Sequence, residues 1–240
     1  MNGLEENVMS MIAIITARGG SKRIPKKNIK EFCGKPIIAY SIEAALKSGL
    51  FDEVMVSTDS DEIADIARKY GANVPFMRSE FTSGDFATTE DVLNEVLDEY
   101  AKLGRHFEYM CCIYPTAPFV TARKLTEASE YVTKSGFDAV YPVVAFSFPP
   151  QRSFVNADGV LKWKWPEYKD SRSQDLEQFY HDSGQFYFYR TERFTDKKNS
   201  DEMRIAPYVL PETEVQDIDN IEDWELAEIK YKYLKDHGVL

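Results

Sequence analysis

Short apolar runs alternate with amphipathic segments through the first 145 residues. Ile12-Ala13-Ile14-Ile15 is an unbroken apolar run, as expected of a strand buried on both faces. Pro36 opens a helical stretch that runs to about Ser48 and stops at Gly49, a usual pair of start and stop signals. Val54–Ser57 reads as a second strand, and Asp61–Tyr70 as a helix halted by Gly71. Val74-Pro75-Phe76 is a short extended piece. In the segment Thr89–Leu103, Val92, Leu93, Val96 and Leu97 fall on one helical face. Tyr109–Tyr114 predicts a strand, Thr121–Lys134 a helix and Ala139–Val144 a strand. The chain closes with a strand near Ala206–Leu210 and a helix from Ile221 to about Asp236.

Strands alternating with helices define an α/β protein whose mostly parallel sheet is covered on both faces. Such sheets take ligands beyond the carboxyl ends of their strands. The loops after Ile15, Ser57 and Tyr114 are therefore the candidate positions. The texture changes after about Ala145: residues 146–194 hold 13 of the 32 aromatics in a fifth of the length. Alternation in Leu161-Lys-Trp-Lys-Trp165 indicates strand, and Gln185-Phe-Tyr-Phe-Tyr189 adds to a β-rich excursion from the core. Its aromatics either fill a core or form an oligomer surface. Residues 1–10 read as an extension, and 11–240 as one domain with its excursion at about 146–180.

Charge narrows the function. The net charge of −11 argues against a general nucleic-acid binder, whose affinity comes from many phosphate contacts. No stretch reaches the ~20 apolar residues that span a bilayer, and the acids at Glu5 and Glu6 do not suit a signal peptide. Cys33, Cys111 and Cys112 form no CxxC pair and fit reduced thiols of a cytoplasmic protein. With three histidines and no HExxH, a His/Cys zinc site is not expected. Against this acidic background, residues 18–30 (Arg-Gly-Gly-Ser-Lys-Arg-Ile-Pro-Lys-Lys-Asn-Ile-Lys) hold six cations and no acid. The cluster is self-repelling unless it faces an anion. Gly19 and Gly20 permit backbone conformations that turn N–H groups toward oxygen atoms, and Arg18 and Lys27 can reach phosphate oxygens. The loop is neither a GxxxxGK[ST] phosphate loop nor a GxGxxG dinucleotide turn.

The segment Ala17–Asn28 resembles the signature of the CMP-sialic acid synthetase family. Ser57-Thr58-Asp59, Arg78, Pro115-Thr-Ala-Pro118 and Gln216-Asp-Ile-Asp219 follow in the family's order, so the resemblance runs from about Met11 to Leu234. Tyr114–Phe119 and Tyr180-His-Asp-Ser-Gly-Gln-Phe-Tyr187 look most like the branch that acts on pseudaminic acid. Tyr114 stands where the sialic acid enzymes usually carry Gln, and His181-Asp-Ser-Gly184 where they carry Arg-Pro-Asn-Gly.

The resemblance implies a Rossmann-like nucleotide-diphospho-sugar transferase fold, with the excursion serving dimerisation. It implies an enzyme that transfers CMP from CTP to the anomeric hydroxyl of a nonulosonic acid and releases pyrophosphate. Legionaminic, sialic or Kdo-type acids are the alternative acceptors, and a nucleotide sensor without turnover is the alternative of another class. Arg18, Ser21, Lys27 and Asn28 become the expected nucleotide contacts, with Arg18 and Lys27 acting in catalysis. A triphosphate calls for Mg2+, which favours carboxylates plus phosphate oxygens. Asp217 and Asp219 are the expected ligands, since at i, i+2 on an extended segment both point one way and Ile218 the other. Asp219 could also orient or deprotonate the attacking hydroxyl. Arg78 could meet the sugar carboxylate or the triphosphate. Tyr114 and Thr116, beyond a strand's end, and His181, Ser183 and Gln185 are the expected substrate-binding residues. Asp85 and Glu90, near Thr88-Thr89, read as helix-start residues. A homodimer is expected, with Trp163 or Trp165 at its interface.

Overall fold

The computed structural model describes residues 10–196 and 202–240. Apart from Ser10, the expected extension lies outside them. Eleven strands and seven α-helices follow one another along the described residues. β1 (Met11–Thr16) leads through the basic loop to the short β2 (Glu31–Phe32) and β3 (Lys35–Pro36), then to α1 (Ile38–Ser48). β4 (Glu53–Ser57), α2 (Asp61–Lys69), the short α3 (Glu80–Ser83) and α4 (Thr89–Lys102) follow. Next come β5 (Tyr109–Ile113), α5 (Ala122–Thr133) and β6 (Ala139–Ala145). β7 (Phe154–Ala157) and β8 (Val160–Trp163) form a hairpin, and β9 (Tyr180–Asp182) and β10 (Phe186–Arg190) return to the sheet. α6 (Thr191–Thr195), β11 (Ile205–Val209) and α7 (Ile221–Asp236) complete the chain.

The main sheet runs β11-β6-β10-β5-β1-β4, with β9 also on β6. Neighbours β4–β1–β5 and β6–β11 are parallel, whereas β10 and β9 run antiparallel to theirs. Alternation along β1 splits the core. Ala13 and Ile15 face α1, α2 and α5, while Ile12 and Ile14 face α4. Side chains fix where the helices start. Ser60 and Thr121 accept hydrogen bonds from Ile63 N and Lys124 N, and Thr88 and Asn220 form reciprocal capping boxes with Asp91 and Asp223.

One aromatic stretch grouped with the excursion lies in the sheet instead. The aromatic run Phe186–Tyr189 is a central strand between β5 and β6, buried along its length. β9 and β10 both pair with β6, but their registers are offset by three residues, so residues 183–185 bulge out between them. Gly184 takes the left-handed conformation there, with φ of 64°. Only residues 146–179 leave the sheet. They include the β7–β8 hairpin, which turns on Asp158 and Gly159, both at positive φ, as a type I′ turn requires.

A buried ion pair joins the C-terminal segment to α5. Lys124, almost fully buried, meets Glu214 at 2.6 Å and donates to Phe119 O at 2.9 Å. Removing one partner of such a pair leaves a buried charge uncompensated, at a cost of about 3–5 kcal/mol. Lys124→Ala is expected to lose about that much in chemical denaturation, and replacing Glu214 by Leu in the same chain should recover a large part of it.

Candidate active site

The basic loop is built rather than free. Asn28, buried, donates its side-chain amide to Arg18 O at 2.9 Å and so ties the two ends of the loop together. Gly19 N donates to Asp59 Oδ1 at 2.7 Å. A Cβ at Gly19 would lie 3.2 Å from Ser60 Cβ, so the close approach of the loops after β1 and β4 favours glycine. Ile24 enters a cluster with Phe32, Phe119, Ile218 and Trp224, which anchors the loop to α7 and to the segment before it.

That cluster also sets the aspartates. Ile218 is buried between them, Asp219 lines the cavity and Asp217 lies beside Gly184. Lys27 Nζ donates to Ile218 O at 2.7 Å, and Arg23 Nη2 to Asp219 Oδ1 at 2.7 Å. Residues some 190 positions apart thus form one site. Burial pulls the Lys27 ammonium below its ordinary value, against the opposing pull of Asp219 and Asp217. Desolvation and then the neighbouring Asp219 push the Asp217 carboxyl up. Two hard-oxygen carboxylates whose mutual repulsion is only partly relieved form a donor set that suits a divalent cation such as Mg2+. Among the described residues no group of three or more His, Cys, Asp or Glu could hold a metal ion, so phosphate oxygens and water would have to complete the shell.

Between loop and sheet lies an open cavity of about 510 Å3. Arg18, Ser21, Lys27, Asn28, Arg78, Tyr114, Thr116 and Asp219 all line it. Arg78 is mostly buried: Nε donates to Ser57 Oγ at 3.0 Å and Nη2 to Ser57 O at 2.7 Å, so part of its fork serves the last residue of β4. Burial raises the Tyr114 phenol, which keeps it a neutral donor. His181, Ser183, Gln185 and Asp217 are not on the cavity wall. Gln185 is buried and its Nε2 donates to Glu214 O at 2.7 Å, which is a structural contact. Ser183 is buried in the bulge. His181 is exposed and packs on Phe146 with ring centroids 4.9 Å apart. Asp217 lies beside the bulge, 3.9 Å from where a Cβ on Gly184 would stand.

The cavity also holds residues that sequence reasoning passed over. Thr16, Thr82, Thr88 and Thr89 contribute hydroxyl-bearing side chains, and Lys22 and Arg23 add charge. Thr88 caps α4 and lines the cavity as well. Asp85 is not a cap: it binds Arg18 at 3.2 Å and Lys22 at 2.6 Å, the position an anionic ligand would compete for. Only the distant pairing reveals it. Cys111 and Cys112 are fully buried, and burial pushes the Cys112 thiol up to about 12, so neither is a nucleophile.

A cationic loop and an acidic pair at the carboxyl ends of parallel strands are the parts of a nucleotidyltransferase. The fold agrees. A solved structure of CMP:2-keto-3-deoxy-manno-octonic acid synthetase complexed with CTP matches at a TM-score of 0.68, covering 95% of this chain and 99% of that one at 16% identity. The chain belongs to the cytidylyltransferase family, whose model matches residues 12–232. It is 40% identical to a pseudaminic acid cytidylyltransferase from Campylobacter jejuni over 93% of this chain and 97% of that one. It is 36% identical to a CMP-N,N'-diacetyllegionaminic acid synthase from Legionella pneumophila, over 92% and 95% respectively.

The Asp85 contacts carry a prediction about anion binding. Exposed ion pairs of this kind are weak and screened by salt. Asp85→Asn should therefore tighten binding of inorganic triphosphate by up to about fivefold at low salt. Calorimetric titration should show the gain shrinking as ionic strength rises.

Proposed function

We propose that the chain transfers CMP from CTP to the anomeric hydroxyl of a nonulosonic acid, pseudaminic acid, with release of pyrophosphate. One observation carries this reading: the Arg18–Lys30 loop is clamped to Asp217-Ile218-Asp219 beside an open cavity. The relatives' names supply the choice of sugar. In the reaction the anomeric oxygen attacks the α-phosphorus, and the bond from the α-phosphorus to the oxygen that bridges it to the β-phosphorus breaks, that oxygen leaving with the pyrophosphate. Arg18, Ser21, Lys27 and Asn28 line the cavity where the triphosphate would lie, and the cations offset its charge. Tyr114 and Thr116 stand beyond β5, where they can orient the acceptor. Asp219, held by Arg23, can take up the hydroxyl proton. Mg2+ bound by Asp217 and Asp219 would supply further neutralisation of the triphosphate.

The same reading covers the assembly and the compartment. No helix of the described residues is long and apolar enough to cross a membrane. Three free cysteines, two of them buried, suit a reducing cytoplasm, where CTP is also available. Phe148, Phe154, Leu161 and Trp165 are exposed on the excursion, and Trp163 packs against Phe154 with tilted rings whose centroids are 4.2 Å apart. A second copy related by two-fold symmetry would cover this patch.

The deciding experiment is pyrophosphate release with CTP, Mg2+ and a panel of pseudaminic, legionaminic, sialic and Kdo-type acids. Pseudaminic acid should be the best acceptor, and no release with any of them would leave a binding protein. Asp217→Asn and Asp219→Asn should each lower turnover by about a hundredfold or more. Arg18→Ala and Lys27→Ala should weaken CTP binding by about tenfold. Lys30→Ala should have little effect, because Lys30 Nζ sits over the Trp224 ring at 4.6 Å. Light scattering should report a dimer, and replacing Trp163 and Trp165 by Lys should shift the mass toward monomer.

A further inference from the structure

Asp182 is immobilised without being buried. It ends β9, immediately before the bulge at residues 183–185, and is exposed. Tyr187 Oη donates to it, 2.7 Å from both Oδ1 and Oδ2, and Gly184 N donates to Oδ1 at 2.8 Å. Tyr187 cannot swing away, because it is buried and wedged between the edges of Tyr114 and Tyr141, with ring centroids at 5.5 and 5.2 Å. An ionised carboxylate offers about four acceptor positions. Among the described residues two groups donate to it, and the residue is otherwise exposed.

Its location gives this arrangement a use. Tyr114, against which Tyr187 packs, lines the cavity. Asp217 lies on the other neighbour of the carboxylate, next to Gly184. Asp182, itself off the cavity wall, therefore lies between Tyr114 and the aspartate segment. Among the described residues Asp182 has no ion-pair partner within 4.0 Å. Beside it Ser183, 1% exposed, carries a hydroxyl with no hydrogen-bond partner among the described residues.

We infer that Asp182 is a specificity-determining residue of the acceptor site: it accepts a hydrogen bond from an amide N–H or hydroxyl of the sugar acid and repels the sugar's carboxylate. The two effects together select one orientation of an anionic acceptor. The carboxylate end is turned toward the cations, and a neutral donor-bearing substituent is turned toward the bulge. Tyr187 and the Gly184 N–H are positioning groups, holding Asp182 in place before the sugar arrives. This inference rests on the acceptor being a nonulosonic acid, as proposed above.

Steady-state kinetics on the full chain with CTP and Mg2+ tests it, using Asp182→Asn, Asp182→Ala and Tyr187→Phe. The Asp182 variants should raise KM for the sugar acid by about tenfold or more, since a hydrogen bond to a charged group is worth that much. KM for CTP should stay within about twofold, because CTP contacts other residues. Tyr187→Phe should raise the sugar KM by less. Sugar acids lacking one acylamino or hydroxyl group at a time identify the donor: the analogue without it should lose nothing further in Asp182→Ala. An unchanged sugar KM, a parallel rise in KM for CTP, or equal losses with every analogue would overturn the inference. If wild-type protein turns over no nonulosonic acid at all, the proposed function falls and this inference with it. A fold defect is separated by the thermal midpoint, which should match wild type in Asp182→Asn.

Discussion

The site depends on one contact, the hydrogen bond from Lys27 Nζ to the carbonyl of Ile218, set in the apolar cluster that Ile218 shares with Ile24 and Trp224. The cluster supplies the adhesion, and the hydrogen bond supplies the register. Together they bring a loop that repels itself against a segment that also repels itself, so each relieves the other. Were Ile218 replaced by a polar residue, the carboxylates on either side would lose the plug that directs them. The charged groups of the site are thus positioned by an uncharged side chain between them.

The rest of the architecture serves that meeting. Parallel β4, β1 and β5 bring three loops to one edge of the sheet. Antiparallel β10 inserts between β5 and β6 and carries the bulge next to Asp217. Lys124 and Glu214 then fasten the approach to the aspartates onto α5. Gln185 strengthens the same fastening from the bulge side through Glu214 O. Helices α5 and α7, the basic loop and the bulge before β10 therefore converge on residues 212–219.

Much of this was legible from the chain alone. The strands Ile12–Ile15 and Tyr109–Ile113 are apolar on both faces because both faces are covered, and the helices carry ordinary caps and stops. The basic loop and the Asp-Ile-Asp spacing were legible because each is a local pattern with a local physical reason. Phe186–Tyr189 was grouped with the excursion because its aromatic composition matches its upstream neighbours, and composition does not report which strand will pair with which. Gln185 looked like a substrate reader for the same reason: nothing nearby in sequence announces Glu214 as its partner. Thr82, Asp85 and Thr89 reach the cavity only through a long loop that folds back over it, a non-local fact. Asp85 in particular looked like a helix-start residue and instead holds two cations of the basic loop.

The two halves of the Lys27–Ile218 contact are also separated in time. A ribosome delivers the cationic loop some 190 residues before the aspartates, with almost the whole sheet made in between. Until α7 emerges and Trp224 docks, Ile24 and Phe32 lack their cover, and Lys27 lacks its carbonyl. A chain in which α7 has not yet docked therefore has a phosphate-attracting loop without its partner segment, and the two come together only once Trp224 is in place.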